Sequence, residues 1–252
     1  MNLIVLLRPV RDPAGFTVNR KAQKIFAKRD GFIINPSDRN ALEAALQLGG
    51  PVTAVAVGAA PAQDALRLAL ATGAARAVQL AHPALEHADA FVLAAVFQRL
   101  VTRLGGADLL LLGADVLDAD TAQVGPRLAA ALDWPFIANA HRLEMNGAEL
   151  TAVAAVQRGF RKFRAPTPAV VAVARDSNKP RYAPGARLIT AYQSQDAVET
   201  FPITDLGLAE SDLAPVTERR GESFPPEREL GNHSEGGLPD VARQVAAEIR
   251  RA

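Results

Sequence analysis

Short apolar runs alternate with amphipathic helical patterns, without interruption, from residue 3 to about residue 132. The apolar runs have the composition of buried strands and include Leu3 to Leu7, Val52 to Val57 and Leu109 to Leu112. Apolar residues at helical spacing occupy the segments between them. Parallel strands need crossover connections of this kind, and such crossovers are almost always right-handed. The alternation therefore predicts an α/β fold with a doubly wound, mostly parallel, Rossmann-like sheet.

A different pattern begins after this alternating part. Residues 141–145 and 148–156 flank Asn146-Gly147, a dipeptide that accepts the positive φ angles of a tight hairpin turn. Charged and aromatic residues alternate over residues 158–164, and the run from Val170 to Ala174 is again apolar. We therefore expect antiparallel strands to be added to the parallel sheet.

No periodic pattern continues beyond Arg175 until the last residues of the chain. Residues 205–240 are rich in Pro, Gly, Glu and Arg, and they hold too few large apolar groups to fold alone. The sequence thus suggests two parts, a nucleotide-binding α/β domain over residues 1–200 and an extended C-terminal arm over residues 201–252.

The arm ends in an amphipathic segment. A final helix is expected over Pro239 to Arg251, with Val241, Val245 and Ile249 at helical spacing on one face. Such a helix needs an apolar surface on which to dock. The sequence leaves open whether that surface belongs to the chain's own domain or to a partner subunit.

A polar loop connects the apolar run Leu109 to Leu112 with the helix that begins near Val124. A strand, a loop and a helix in this order leave free backbone N–H groups at the carboxyl edge of a sheet, where nucleotide phosphates bind. The loop is acidic, however, through Asp115, Asp118 and Asp120, and carboxylates repel phosphate. The residues alone leave two interpretations open, a nucleotide site and an ordinary helix with an N-terminal cap.

Another helix start follows Asn35-Pro36. Ser37 or Asp38 is expected to cap this helix through a side-chain oxygen. Because a short apolar run precedes it, this helix start is expected at the same edge of the sheet.

Composition excludes several classes of function. Cysteine is absent, which removes disulfides, iron–sulfur clusters, thiolate zinc sites and cysteine nucleophiles. The net charge of +1 gives no indication of nucleic-acid binding. The sequence has no glycine-rich dinucleotide turn after its first strand and no P-loop, its four histidines are far apart, and no serine lies in a nucleophile elbow. These features disfavour a hydrolase or ligase, and we predict no catalytic and no metal-ligating residues.

The sequence also bears on location. No segment has the pattern of a signal peptide, and no apolar run is long enough to cross a bilayer. We therefore expect a cytoplasmic protein without membrane insertion. A stand-alone adenine-nucleotide-binding α/β protein of the sensor type is compatible with these observations and remains the alternative function.

Four segments, in this order along the chain, carry a resemblance to a known family. They are Asn35-Pro36, the helical segment 65–77, the loop from Gly113 to Gly125, and Asn178-Lys-Pro-Arg-Tyr. With these segments the chain resembles the beta subunit of electron transfer flavoproteins, from residue 1 to about residue 200.

The resemblance implies an electron carrier rather than an enzyme. In this family an alpha subunit holds the redox-active FAD, and the beta subunit packs against it and binds an adenine nucleotide of its own. The heterodimer takes electrons from a dehydrogenase and passes them to a quinone reductase or another acceptor. The nucleotide contacts that the resemblance implies are Leu6, Asn35, Pro36, Ser37, Asp38, Val57, Gly113, Asp118, Ala119, Asp120, Thr121, Ala122, Gln123 and Val124.

The same resemblance leaves the nucleotide open between AMP and a second FAD. The segment Asp118-Ala-Asp-Thr-Ala-Gln-Val-Gly-Pro is similar to that of members that bind a second FAD and bifurcate electrons, with Ala119 in place of a glycine. Ser37 and Pro13 stand where the family has aromatic residues, which weakens the expected packing on the shared flavin. Gly185 stands near the position of a leucine that anchors acyl-CoA dehydrogenases, so the resemblance implies a different dehydrogenase.

Overall fold

The computed structural model describes residues 1–29, 31–118, 122–194, 196–218, 220–221, 223–226, 231 and 234–251. Its strands are β1 (Leu3–Leu7), β2 (Pro9–Arg11), β3 (Phe16–Asn19), β4 (Lys24–Ala27), β5 (Phe32–Ile34), β6 (Val52–Val57), β7 (Arg76–Leu80), β8 (Leu109–Gly113), β9 (Phe136–Asn146), β10 (Glu149–Val156), β11 (Gly159–Pro166), β12 (Ala169–Val173) and β13 (Glu199–Phe201). Its α-helices are α1 (Pro36–Leu48), α2 (Ala60–Thr72), α3 (Ala90–Arg103), α4 (Val124–Leu132), α5 (Gly185–Gln193) and α6 (Leu238–Arg251). Strands and helices alternate strictly from β5 to α4.

Nine strands form one sheet in the order β11-β10-β9-β12-β8-β1-β6-β7-β13. The strands from β9 to β13 in this order pair in parallel, whereas β10 and β11 add antiparallel to one side. All residues of β1, β8 and β12 are buried, as expected for a sheet with helices on both faces. The predicted doubly wound, mostly parallel fold with antiparallel additions is thus confirmed.

Two hydrophobic cores lie on opposite faces of the sheet, and β1 contributes to both by alternation of its side chains. Leu3, Val5 and Leu7 belong to the core that also contains residues of α1 and α2. Ile4 and Leu6 belong to the core that contains residues of α3 and α4. Each fully buried leucine or isoleucine contributes about 1.5–3 kcal/mol to the free energy of unfolding. Strand β1 is apolar throughout because α1 and α2 cover one of its faces and α3 and α4 cover the other.

The antiparallel additions begin with a hairpin. Gly147, in the turn between β9 and β10, has a φ angle of +63°, as the Asn146-Gly147 dipeptide predicted. Strand β11 follows β10 and ends the order of the sheet, with Phe160 exposed. Two short sheets lie outside the main one, and they pair β2 with β5 and β3 with β4.

The chain divides into two compact units. The larger unit comprises residues 1–17 and 25–219, and the smaller unit comprises residues 18–24 and 220–252, which include α6. In the larger unit, β13 pairs in parallel with β7, and Ile203, Leu206 and Leu213 are buried. These contacts place residues 201–217 with the larger unit, beyond the boundary at residue 200 that the sequence suggested.

Two elements of the larger unit have no counterpart in the sequence pattern. Helix α5 has only nine residues, begins without a side-chain cap and buries only Ala191, so its start has no clear signal in the sequence. Strand β13 has three residues and pairs on one side only. The expectation of an irregular segment after Arg175 was wrong at these two places. No helix in the described ranges is long and apolar enough to cross a membrane.

Candidate functional site

The carboxyl ends of β1 and β8 meet the N-terminus of α1 at one edge of the sheet. Asp38 joins all three, since its Oδ2 accepts a hydrogen bond from the Arg8 N–H at 2.8 Å and its Oδ1 accepts one from the Gly113 N–H at 2.7 Å. The Asn35 N–H donates to the Arg8 carbonyl at 2.9 Å, which ties the same two segments a second time. The buried Asp38 carboxylate therefore acts as a clamp between two strand ends and a helix start.

Asp38 and Ser37 do not cap α1, which corrects the expectation from the sequence. Asn35 occupies the N-cap position and makes no capping hydrogen bond with its side chain. Ser37 and Asp38 lie in the first turn, and their side chains point to the loop and strand ends outside the helix. The reason is that the Asp115 carbonyl and the Gly113 N–H lie within hydrogen-bonding distance of Ser37 and Asp38. These side chains bond there and not to the N–H groups of α1.

The loop after β8 is held by its backbone. The Asp115 carbonyl accepts hydrogen bonds from Asn35 Nδ2 and from Ser37 Oγ, both at 2.7 Å. The Leu117 N–H donates to Asn35 Oδ1 at 3.3 Å, so one asparagine side chain contacts the loop at two points. Asn35 and Ser37 are buried, and their hydrogen-bonding groups are satisfied by this loop. The start of α1 thus fixes the course of the chain after β8.

Gly113 permits the close approach of these segments. A Cβ atom at this position would lie 2.3 Å from Ser37 Oγ and 2.5 Å from Asp38 Oδ1, far inside any normal contact distance. Any side chain at residue 113 would therefore push α1 away from β8. The requirement for glycine here comes from packing of α1 on the strand end.

Burial dominates the ionisation of Asp38. Removal from water raises the pKa of this carboxyl to about 7, although hydrogen bonds from the Arg8 and Gly113 N–H groups and the Asn35 side chain, together with the Arg8 charge, act in the opposite direction. A carboxyl with such a pKa changes charge near neutral pH.

The far side of the edge is formed by the start of α4. Gln123 stands at the N-cap position without a capping hydrogen bond, and the first turn of α4 contains no acidic residue. Gln123 Oε1 accepts from the Arg127 guanidinium at 3.2 and 3.3 Å. Among the described residues, the positive end of this helix is thus not neutralised by a carboxylate of its own first turn, which suits an anionic group.

Two charged side chains lie between β1 and the loop. The Arg8 Nη2 atom is 3.5 Å from Asp118 Oδ1, and the side chains are 35% and 38% exposed. Sequence analysis did not single out Arg8. The signal was its position, since it is the first residue after a buried strand, at the edge where the site was expected.

The structure places the predicted site residues in three groups. Asn35, Ser37, Asp38 and Gly113 form the hydrogen-bonded network described above, with Pro36 beside them in α1. Leu6 and Val57 pack in the core on the α3 and α4 side, near the ends of adjacent strands. Asp118, Ala122 and Gln123 are exposed on the loop and Val124 is partly buried, whereas Ala119, Asp120 and Thr121 lie outside the described residues.

This edge has the chemistry of a binding site rather than of a reaction centre. It offers backbone N–H groups at a helix start, an arginine and amide side chains, and Leu6 and Val57 pack in the core near the ends of adjacent strands. In the described part of the chain, no group of three histidine or acidic side chains could hold a metal ion. Backbone N–H groups and an arginine of this kind can bind an anionic ligand.

A family model described as the electron transfer flavoprotein domain matches residues 23–206, which is most of the chain. The chain belongs to the electron transfer flavoprotein family. The matched segment contains both the start of α1 and the loop after β8, the two parts that build the candidate site. The family that the sequence motifs suggested is thereby confirmed.

Three curated relatives match between 83% and 99% of the chain. The electron transfer flavoprotein subunit beta of Bacillus subtilis (strain 168) is 32% identical over 99% of this chain and 98% of its own length. That of Thermoanaerobacterium thermosaccharolyticum is 31% identical over 89% of this chain and 92% of its own. A subunit of the caffeyl-CoA reductase-Etf complex of Acetobacterium woodii, CarD, is 27% identical over 83% and 81%. These relatives confirm the predicted electron-carrier subunit, as opposed to a hydrolase or ligase.

Proposed function

We propose that this chain is the beta subunit of a heterodimeric electron transfer flavoprotein and binds an adenine nucleotide at the edge formed by β1, β8 and the starts of α1 and α4. The clamp by Asp38, which fixes two strand ends against a helix start, is the observation that supports the proposal most strongly. The same helix start holds the loop after β8 as far as Leu117, and the next helix along the chain, α4, begins without a side-chain cap. Such a place binds phosphate groups.

The loop sequence bears on the identity of the bound nucleotide. Residues 118–126 resemble the segment of family members that hold a second FAD, and they differ from it at Ala119. We propose AMP or a second FAD as the resident nucleotide, with its phosphate at the start of α4 and its base against Leu6 and Val57. A bound FAD supplies reversible electron transfer, and this chain's residues bind and orient the group.

The nucleotide site can be tested by a single substitution. Gln123→Ala removes the side chain at the uncapped start of α4, and we expect the purified protein to lose its bound adenine nucleotide. Gln193→Ala, an exposed glutamine of α5, is the matched control and retains the nucleotide. Equal nucleotide content in both variants, measured by chromatography after denaturation, would remove this edge from the proposal.

The alpha partner is proposed to contact α6. Leu238 and Ile249 of this helix are 87% and 71% exposed, and Val245 lies between them at helical spacing. An apolar stripe of this kind is stabilised when a partner covers it. Because the larger unit extends to residue 219, a chain cut after that residue keeps all of its sheet. We expect this truncation to fold and to fail to copurify with the alpha subunit, whereas an intact heterodimer would exclude α6 as a contact.

A dehydrogenase is proposed as the electron donor, with α5 as its contact on this subunit. Helix α5 leaves Ile189 and Tyr192 exposed, and Tyr182 precedes it. The relative from Acetobacterium woodii bears the name of a complex that includes a reductase, which supports partnership of this kind. Ile189→Asp is expected to slow electron transfer from the dehydrogenase without loss of bound nucleotide. The downstream acceptor is proposed to be a quinone reductase or another flavin or iron–sulfur protein.

A further inference from the structure

An arginine lies where the acidic loop meets the central strand. Arg8 directly follows β1, and its guanidinium lies 3.5 Å from the Asp118 carboxylate. We propose that the Arg8 guanidinium binds the nucleotide's phosphate. In the absence of ligand, the Asp118 carboxylate pairs with this guanidinium, and the phosphate displaces it. This inference rests on the proposed nucleotide site, and it assigns to Arg8 the selectivity of that site for phosphorylated ligands.

The backbone of Arg8 is fixed before any ligand binds. Its N–H donates to the buried Asp38 carboxylate at 2.8 Å, and its carbonyl accepts from the Asn35 N–H at 2.9 Å. Only the side chain remains to be placed, and it already reaches the loop. A ligand therefore meets a positioned cation, which lowers the entropy that binding must overcome.

The charges of the loop make such a cation necessary. Asp115 and Asp118 are exposed on the segment that leads toward α4. A phosphate at the start of α4 would face these carboxylates, and the partial charge of one helix N-terminus is only about half an elementary charge. An arginine guanidinium carries a full charge and binds two phosphate oxygens at once. When the phosphate replaces the Asp118 carboxylate, the Arg8 guanidinium keeps an anionic partner throughout ligand binding.

A second cation lies at this edge and serves as the comparison. Arg127 is in α4, where its guanidinium binds Gln123 Oε1 and stacks over the Phe91 ring at 5.7 Å. These contacts engage Arg127 with its own helix and with α3. The geometry therefore favours Arg8 over Arg127 as the phosphate ligand.

The alternative is that the Arg8–Asp118 pair only braces the loop. A bracing role predicts the same loss of affinity for every ligand, because the whole site would loosen. A phosphate-binding role predicts a loss for phosphorylated ligands alone. AMP and adenosine differ only in the phosphate, so the pair of ligands separates the two roles.

The test measures binding of AMP and of adenosine by calorimetry to the full chain freed of nucleotide, for the unaltered protein, Arg8→Gln, Arg8→Lys and Arg127→Gln. We expect Arg8→Gln to bind AMP about tenfold more weakly or worse, the factor of one lost charge-assisted contact, and adenosine within about twofold of the original. Arg8→Lys, which keeps the charge, is expected to recover part of the AMP affinity. Asp118→Asn, which frees the guanidinium, is expected to bind AMP more tightly.

Several outcomes would overturn the assignment. Equal losses of affinity for AMP and adenosine in Arg8→Gln would show a bracing role. A loss of AMP affinity in Arg127→Gln alone would assign the phosphate contact to Arg127. Weaker AMP binding by Asp118→Asn would contradict the exchange of partners. If the unaltered chain binds neither ligand, the proposed nucleotide site itself fails, and this result is distinct from a failure of Arg8 to matter. Thermal unfolding of each variant confirms that it is folded.

Discussion

Arg181 and Glu43 form a bidentate ion pair that fastens the segment after β12 to α1. The Arg181 Nε and Nη2 atoms donate to the two carboxylate oxygens of Glu43 at 2.7 and 3.0 Å, and the Arg181 N–H donates to the same carboxylate at 3.1 Å. Glu43 is only 6% exposed, whereas Arg181 is 46% exposed. Burial works to raise the pKa of Glu43, but the hydrogen bonds from Arg181 outweigh it and lower that pKa below its usual value. The pair fixes Arg181, which lies four residues before α5, against α1.

Arg181→Ala is expected to destabilise the larger unit, because it leaves the Glu43 carboxylate buried without its cation. We expect a loss of about 2–3 kcal/mol in the free energy of unfolding, less than for a fully buried pair because Arg181 is half-exposed. Chemical denaturation measures it. The matched control is Arg164→Ala, whose exposed partner Glu149 lies 3.8 Å away and whose loss should stay within about 0.5 kcal/mol. Similar losses in both variants would mean that the Glu43 pair is energetically an ordinary surface contact.

Gly113→Ala is expected to disturb the candidate site through one methyl group. The new Cβ would overlap Ser37 Oγ and Asp38 Oδ1, so α1 must shift from β8, at a cost of about 1–3 kcal/mol. Gly185→Ala is the control, since no atom lies within 4 Å of the Cβ position there. We predict a lower melting temperature and reduced nucleotide content for Gly113→Ala only. A Gly113→Ala protein as stable as the control would show that the clamp tolerates displacement.

Asp38→Asn is expected to have a cost that depends on pH. The folded-state pKa of Asp38 is raised by burial to about 7, above its unfolded value of about 4, so the native state holds a proton that the unfolded state has released. The contribution of this group to stability therefore falls as pH rises from about 4 to about 7. Asparagine does not titrate, hence the stability lost by the substitution should be larger at pH 5 than at pH 8.

Denaturant unfolding of both proteins at the two pH values measures this difference. The loss of stability at pH 5 includes about 1–3 kcal/mol for one backbone N–H group that is left without an acceptor, because asparagine has a single side-chain oxygen. A loss that grows with pH would mean that the Arg8 and Gly113 N–H groups outweigh burial and stabilise the charged carboxylate.

Asp89→Asn is expected to free residues 216–217 from the start of α3. Asp89 Oδ1 caps α3 through the Phe91 and Val92 N–H groups, and its Oδ2 accepts hydrogen bonds from the Val216 and Thr217 N–H groups and from Thr217 Oγ1. Burial of this carboxylate is outweighed by those hydrogen bonds, which lower its pKa to about 2. The contribution is thus complete above the unfolded pKa near 4 and is lost as pH falls toward 2.

Hydrogen exchange at the Val216 and Thr217 amides is the measurement. We expect faster exchange in Asp89→Asn and a loss of about 1 kcal/mol from the weakened helix cap. Asp212→Asn is the control, because Asp212 accepts a hydrogen bond from the nearby Ala209 N–H, within its own turn. Unchanged exchange at Thr217 in the Asp89 variant would show that the burial of Leu213, and not the carboxylate, holds this segment.

The sequence revealed those parts of the fold that local pattern determines. Strand β8 and helix α4 were predicted because a strand buried on both faces is continuously apolar and a covered helix has a stripe. Helix α5 was missed because it is short and has no capping side chain. The capping of α1 was misassigned because Ser37 and Asp38 bond to Asp115, Arg8 and Gly113, which are 30 to 78 positions away. The Glu43–Arg181 pair spans 138 residues, so no local pattern contains it.

The measurement that tests the central proposal most directly is the nucleotide content of the purified heterodimer. The chain is coexpressed with its alpha subunit, the complex is denatured, and the released nucleotides are identified by chromatography and mass. The proposed function predicts an adenine nucleotide beyond the FAD of the alpha subunit, either AMP in equal amount or FAD at twice the amount of the complex. FAD equal to the complex, with no further adenine nucleotide, would contradict the proposed site.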